Sequence, residues 1–194
     1  MAVATQRKQI GLYGGSFNPP HVCHTLTTVW ALQTHRLDEV WWVPTYQHAF
    51  EKSLVSFEHR KAMCRLALDH IEGVSISEIE REMGGESRTV DTVRELRERH
   101  PDHDYSLIVG SDILEEAHRW KNWEGLMEMV DLIVIGRKGH QVNTEPDSAE
   151  FRLPDISSTD TRKALRDGNY APLRYWLSRD VIDYIAEHEL YLDG

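Results

Sequence analysis

The sequence predicts an α/β fold in which one parallel β-sheet carries helices on both faces. Short apolar runs recur at Ile10–Tyr13, Glu39–Val43, Tyr105–Val109 and Leu132–Ile135, and a Gly or Pro closes each of them. Between the runs, apolar residues return at the helical period of about 3.6 residues. Strand-length and helix-length segments in alternation are the mark of βαβ units, whose strands lie parallel and whose crossovers cover both faces.

Ile10–Tyr13, closed by Gly14 and Gly15, is expected to be a buried first strand. Asn18 then offers an N-cap and Pro19 suits a first helical turn; Leu26, Val29 and Trp30 carry the helix to about His35. Glu39–Val43 is a second strand, stopped by Pro44. The stretch from Pro44 to Ser56 lacks periodicity and reads equally as a mobile closing loop or an ordinary exposed one; it carries Lys52. Cys64, Ala67, Leu68 and Ile71 line one face of a helix that begins near Ser56. Val74 to Ile79 alternates like a strand with one open face. Thr89 to Arg99 is a helix with Val90, Val93 and Leu96 inward. The strands Tyr105–Val109 and Leu132–Ile135 follow, then a polar loop over residues 138–150, then helices over about Thr159–Arg166 and Ser178–His188. No internal repeat or domain boundary interrupts the pattern. Residues 1–194 are therefore expected to form a single Rossmann-like domain, with 1–9 as a loose tail.

Composition narrows the function. The 194 residues are 40% hydrophobic and 28% charged, enough for one sizeable core. No apolar run approaches the roughly 20 residues of a membrane span, and the start lacks the apolar core of a secretory signal. The two cysteines, Cys23 and Cys64, suggest reduced thiols and a cytoplasmic protein. A formal net charge of −10 disfavours long nucleic acid, whose binding depends on many Lys and Arg contacts to phosphate. It leaves room for a small phosphorylated ligand, and self-association stays open.

In parallel sheets of this kind, ligands bind beyond the carboxyl ends of the strands. The stretch YGGSFNPPHVCH (Tyr13 to His24) lies there, as does Gly110-Ser111-Asp112. Gly14 and Gly15 would let backbone approach a ligand and take conformations barred to other residues. The helix start after them favours a phosphate, and His21 and His24, three apart, share one helix face. Neither a P-loop nor a dinucleotide fingerprint is present. Three readings remain: a nucleotide's phosphate chain, a plain glycine turn with surface histidines, or a metal held by His21, Cys23 and His24. The last is weakest, because a structural zinc site wants four ligands and no matching pair follows downstream.

A second anion site is written at Ile156-Ser157-Ser158-Thr159-Asp160-Thr161-Arg162. Alone it is a helix capped by Ser158 or Thr159, but Arg162, one turn in, adds a guanidinium that can take phosphate bidentately.

His21-x-x-His24 near one end and Ser157-x-Thr159-x-x-Arg162 near the other resemble the signatures of the nucleotidyltransferase superfamily. GLYGGSFNPPHVCH, VDTVRELR, GSDILEEAHRWKNWEGL, VIGRKG and ISSTDTR, in that order, are similar to the bacterial nicotinate-nucleotide adenylyltransferases, from about Ile10 onward. His21 stands where the related pantetheine-phosphate adenylyltransferases usually carry Thr. The resemblance implies transfer of the adenylyl group of ATP to nicotinate mononucleotide, giving nicotinate adenine dinucleotide and pyrophosphate, with magnesium carried by ATP and no metal held by the protein itself. It implies that His21 and His24 touch ATP phosphates, that Ser157, Thr159 and Arg162 hold the triphosphate from the other side, and that Gly14, Gly15, Ser16 and Phe17 lay backbone against the nucleotide. His21, His24 and Arg162 are the catalytic candidates. For the mononucleotide it implies Gly110 and Asp112 at ribose, Trp120 against the nicotinate ring, Thr89 at its carboxylate, Arg137 as a phosphate ligand and Lys52 as the family lysine. Asn18, Cys23 and Thr161 depart from the residues common at those places, and PTYQHAFEK replaces the family's Pro-Pro-His-Lys stretch. The alternatives are a relative that takes nicotinamide mononucleotide or another phosphorylated acceptor, and a nucleotide sensor without turnover.

Overall fold

A computed structural model describes residues 7–47, 54–111, 117–136 and 153–192. Five strands form one parallel sheet: β1 (Lys8–Gly15), β2 (Glu39–Pro44), β3 (Val74–Ile76), β4 (His103–Gly110) and β5 (Asp131–Ile135), in the order β3-β2-β1-β4-β5. All four neighbouring pairs are parallel, with Gly15 opposite Pro44 and Gly110 opposite Ile135. Strand order reverses between β1 and β4, so their carboxyl ends flank the crevice where such sheets take ligands.

The helices are α1 (Val22–Thr34), α2 (Phe57–Leu68), α3 (Ile79–Met83), α4 (Thr89–Arg99), a 3₁₀ turn (Ala117–Arg119), α5 (Trp123–Met127), α6 (Ser158–Arg166), α7 (Leu173–Trp176) and α8 (Arg179–Glu187). Strand alternation sorts the core into two layers. Ile10, Leu12, Tyr105, Leu107 and Val109 point to one face, where they meet Ile79, Val90, Val93, Leu96 and Leu126 of α3, α4 and α5. Tyr13, Val40, Trp42, Ile108 and Ile133 point to the other, against Ala31 of α1 and Cys64 and Leu68 of α2. A third cluster joins Met63 of α2 to Ala164, Leu165, Leu173, Val181 and Ile185 of α6, α7 and α8. Helices on both faces of a parallel sheet are as the alternation predicts.

Several boundaries differ from the expectation. β1 begins at Lys8, where Arg7 pairs with Asp104 at 2.7 Å and the Lys8 N–H donates to the Asp102 carbonyl. Asn18 is no N-cap: α1 starts at Val22 and His21 occupies the cap. The alternation from Val74 stops at Ile76, and Ile79 opens a helix whose first residue is buried under β2 and α4. The N-cap of α6 is Ser157, one residue before the two candidates, and its hydroxyl accepts the Asp160 N–H at 3.1 Å.

Candidate active site

At the end of β1 the chain leaves Gly15 and crosses to α1 through Ser16–Pro20. Gly14 and Gly15 stay in the extended strand and are absent from the left-handed residues among the described ones; Phe17 takes that conformation instead, with φ of 46°. The expectation of special glycine backbone is thus corrected, because packing of the Phe17 ring sets the turn. That ring stacks on Trp42 with centroids 4.4 Å apart and 6° between planes. A Cβ at Gly14 would meet nothing within 4 Å, whereas one at Gly15 would meet the Phe17 ring at 3.4 Å, so the open space at the strand end lies at Gly14.

Asn18, fully buried, is the hub of this connection. Its side-chain Oδ1 accepts the Tyr191 hydroxyl at 2.9 Å and the Val55 N–H at 3.3 Å. The peptide bond from Asn18 to Pro19 is cis. From below, Arg60 of α2, only 1% exposed, donates through Nη1 to the Ser16 carbonyl at 2.8 Å and through Nε to the Val55 carbonyl at 3.1 Å. From the side, α6 closes on the same turn: Arg162 Nη1 donates to the Asn18 carbonyl at 2.7 Å and Ser158 Oγ to the Pro19 carbonyl at 2.9 Å. The two ends of the sequence are therefore latched together at one place. Arg162 Nη2 also donates to Thr159 Oγ1 at 3.3 Å. Burial pushes the Tyr191 phenol upward, against the pull of the Arg162 and Arg60 guanidiniums, so it stays a neutral donor.

His21 and His24 sit at the N-cap and third position of α1, with ring centroids 3.8 Å apart. His21 is buried, 5% exposed. The His21 N–H donates to His24 Nδ1 at 3.0 Å. One of the N–H groups expected to await a phosphate is therefore engaged by the protein. In return, an accepting Nδ1 requires the neutral ring to carry its proton on Nε2. Tyr13, Phe17 and Trp42 box the His24 ring, with centroids 5.0–6.0 Å away. His24 is thus an N–H donor of fixed orientation beside the start of α1.

The arrangement gathers donors: the helix starts of α1 and α6, His24 and Arg162. Asp160 opposes them in part, since Ser157 Oγ donates to its carboxylate at 2.5 Å and that carboxylate sits at the same helix end. Such a cluster suits a chain of phosphates, with charge-assisted bonds from Arg162 and helix dipoles behind it. No activated thiol accompanies it: burial holds the Cys64 thiol well above its usual range, and Cys23 is buried with Sγ 3.4 Å from the Pro154 carbonyl. Among the described residues, no group of three His, Cys, Asp or Glu side chains is placed to hold a metal ion.

Of the other expected residues, Gly110, Thr89 and Trp120 are among those described. Gly110 ends β4, and the following Ser111 N–H donates to the Ile135 carbonyl at 2.9 Å. Thr89 is the first residue of α4, after Arg88 at the N-cap position, whose side chain makes no capping bond, so the Thr89 N–H is one of those that a helix leaves without an internal partner. Asp91, whose charge would oppose a carboxylate there, is neutralised by Lys121 at 2.8 Å and Arg94 at 3.0 Å. The Lys121 hydrogen bond chiefly holds its carboxyl below the usual range. The Lys121 bridge also brings the Trp120 turn against α4, and Trp120 meets Trp123 edge-on at 5.7 Å. Lys52, Asp112 and Arg137 lie outside the described residues, as does the 138–150 loop.

Sequence reasoning missed Arg60, Tyr191 and the hub role of Asn18. Of these, only Asn18 carried a signal, as an unusual residue in an otherwise matched motif.

Residues 12–164 match the family model described as cytidylyltransferase-like. A protein from Anaeromyxobacter sp. (strain K), described as "Probable nicotinate-nucleotide adenylyltransferase", is 42% identical over 188 residues, covering 95% of this chain and 97% of its own. One from Myxococcus xanthus with the same description is 41% identical over 184 residues, covering 94% of each chain. Among solved structures, the Plasmodium falciparum nicotinic acid mononucleotide adenylyltransferase complexed with NaAD superposes with a TM-score of 0.80 at 24% identity, over 95% of this chain and 97% of that one. At that identity the superposition speaks for the fold.

Proposed function

Because the chain belongs to the cytidylyltransferase-like family, among the nicotinate-nucleotide adenylyltransferases, we propose that it transfers the adenylyl group of ATP to nicotinate mononucleotide. The products are nicotinate adenine dinucleotide and pyrophosphate, a step of NAD biosynthesis. The observation that carries the assignment of its site is the latch of Arg162 and Ser158 onto the Asn18 and Pro19 carbonyls, beside His21 and His24. It unites two phosphate-type motifs that lie far apart in the chain.

A phosphate oxygen of the mononucleotide attacks the α-phosphorus of ATP. The new P–O bond forms as the bond to the bridging oxygen of pyrophosphate breaks, and both electrons leave with pyrophosphate. The attacking oxygen is already anionic, so the protein need not remove a proton. Its residues hold the reactants in line and meet the growing negative charge. The Nε2–H of His24 and the guanidinium of Arg162 face the leaving phosphates, with His21 beside them. Ser157, Thr159 and the start of α6 hold the triphosphate from the far side. Gly14, Gly15, Ser16 and Phe17 line the nucleotide with backbone. Across the crevice, Gly110 and Asp112 hold ribose, Trp120 packs on the nicotinate ring, and Thr89 reads its carboxylate. Arg137 adds a phosphate contact, and Lys52 stands as the family lysine.

The groups at this place are mainly N–H donors suited to phosphate oxygens, with Asp160 the carboxylate among them. Magnesium would be carried in by ATP, where it would neutralise charge on the phosphates. No described helix is long and apolar enough to cross a membrane; the proposed place in the cytoplasm rests on the two cysteines read as reduced thiols.

The test is release of pyrophosphate from ATP and magnesium with a panel of phosphorylated acceptors, the product identified by mass. Nicotinate mononucleotide should be the best acceptor. A higher kcat/KM with a phosphate lacking the pyridine ring would overturn the substrate, and tight ATP binding without release would make the chain a sensor.

A further inference from the structure

Where β2 ends, the chain runs on through Tyr46 and Gln47 along the carboxyl edge of the sheet. The lead-in to α4 is clasped to it. The Ser87 N–H donates to the Gln47 carbonyl at 3.2 Å, while Ser87 Oγ accepts the Tyr46 N–H at 3.1 Å and the Gln47 N–H at 3.4 Å. Behind the clasp lies Glu80, the second residue of α3. Its Oε2 accepts the Tyr46 N–H at 3.1 Å and its Oε1 the Thr92 hydroxyl at 3.3 Å. Ser87 and, through space, the buried Arg60 guanidinium favour the charged form of the same carboxylate. Even so, burial holds the Glu80 carboxyl above the ordinary carboxylate range. After α3, Gly84 and Gly85 both take positive φ, 68° and 74°, which turns the chain back towards Ser87.

One carboxylate thus joins the end of β2, the lead-in to α4 and the first turns of α4, on either side of Thr89. A carboxylate suits this place because it only accepts: the Tyr46 N–H donates to it, and so does the Thr92 hydroxyl, which it shares with the Arg88 carbonyl at 3.1 Å. An amide would turn its NH₂ towards one of them. The same donors spread the charge of Glu80, so it does not confront an anion at the opening of α4.

We propose that Glu80 is a positioning residue for the mononucleotide end of the site: by holding Tyr46, Ser87 and Thr92 it sets the opening N–H groups of α4 to read a carboxylate on the pyridine ring. This rests on the assignment of Thr89 to the nicotinate carboxylate. A purely structural Glu80 would instead lower stability and weaken both substrates alike.

The experiment measures KM for ATP and for nicotinate mononucleotide, and the ratio of kcat/KM for the acid over the amide mononucleotide, in wild type and three variants. Glu80→Gln is expected to raise KM for the acid about 5- to 10-fold and lower the acid-to-amide ratio by a similar factor, as loss of one well-made hydrogen bond would. KM for ATP should stay within about twofold. Equal rises in both KM values, or no change in either, would overturn the role of Glu80. Should Glu80→Gln fail to fold, Ser87→Ala serves, since it keeps Glu80 and removes only one hydroxyl of the clasp. A change of about 3-fold in the acid KM alone is expected there, and an unchanged value overturns the proposal. Thr89→Pro, which deletes both the hydroxyl and the first N–H of α4 at a helix position that accepts proline after the extended Arg88, separates the two layers of the argument. If it leaves the acid-to-amide ratio untouched, the assignment of Thr89 fails, whatever Glu80→Gln shows; if it lowers the ratio while Glu80→Gln does not, only the role of Glu80 fails.

Discussion

Replacing Arg162 by Lys separates charge from geometry. The guanidinium spans two acceptors on different elements, the Asn18 carbonyl at 2.7 Å and Thr159 Oγ1 at 3.3 Å. A lysine keeps the positive charge but presents a single compact ammonium on a flexible stem. It can serve one direction at a time, so either the latch to Asn18 or the contact to a phosphate is lost. A hydrogen bond to a charged group is worth about 1.5–3 kcal/mol, which corresponds to a fall of about 10- to 150-fold in kcat/KM for ATP. The assay is initial-rate pyrophosphate release with ATP varied at saturating mononucleotide. A parallel melting curve guards against trivial unfolding. For a chain of this size each kcal/mol moves Tm by about 2–4 °C, so the latch is expected to cost only a few degrees. A folded lysine variant with wild-type kcat/KM for ATP would refute the reasoning, because charge alone would then suffice.

His24→Ala should lower kcat by ~10²-fold or more while mononucleotide affinity changes little, since a preorganised N–H donor acts on charge that develops at the leaving phosphates. An unchanged kcat would sink that role. Tyr191→Phe removes the hydroxyl from Asn18 Oδ1 but leaves the Val55 N–H in place; a loss of about 1 kcal/mol is expected, read as a fall of about 2–4 °C in Tm, and an unshifted melting curve would contradict it. Glu80 makes stability depend on pH. Its carboxyl is raised by burial in the folded state, so the fold binds that proton more tightly than the unfolded chain does. Its stabilising contribution is complete below the unfolded carboxyl value and is lost as pH rises through the higher folded one. Glu80→Gln should flatten that part of the Tm profile, and a profile unchanged from wild type would count against it.

The sheet and the longer helices were legible because burial leaves a period in the sequence. Val90, Val93 and Leu96 repeat as α4 requires, and Tyr105, Leu107 and Val109 alternate as β4 requires. The helices α3, α5 and α7 span five, five and four residues, too short to show a period, and packing more than propensity forms them. That is why Ile79 read as the end of a strand, and why Glu80 drew no notice. Within the site, His21, His24 and Arg162 were legible as chemistry at characteristic spacing. The residues that hold the loop between them were not. Arg60 looks like any basic helix residue until its burial is known, and Tyr191 meets Asn18 across a separation of 173 positions. Nor could sequence tell that Phe17, held by Trp42, would take the left-handed turn in place of either glycine.

The most direct measurement compares kcat/KM for nicotinate mononucleotide with that for nicotinamide mononucleotide under identical ATP and magnesium. Pyrophosphate and the dinucleotide product are counted together. The two acceptors differ only in the carboxylate or amide that the opening of α4 would meet. An amide leaves a donor unpaired there, at a cost of roughly 1–3 kcal/mol, so the acid should be favoured by about 5- to 150-fold, with one dinucleotide formed per pyrophosphate. A kcat/KM for the amide equal to or above that for the acid, or pyrophosphate without dinucleotide, would contradict the assignment.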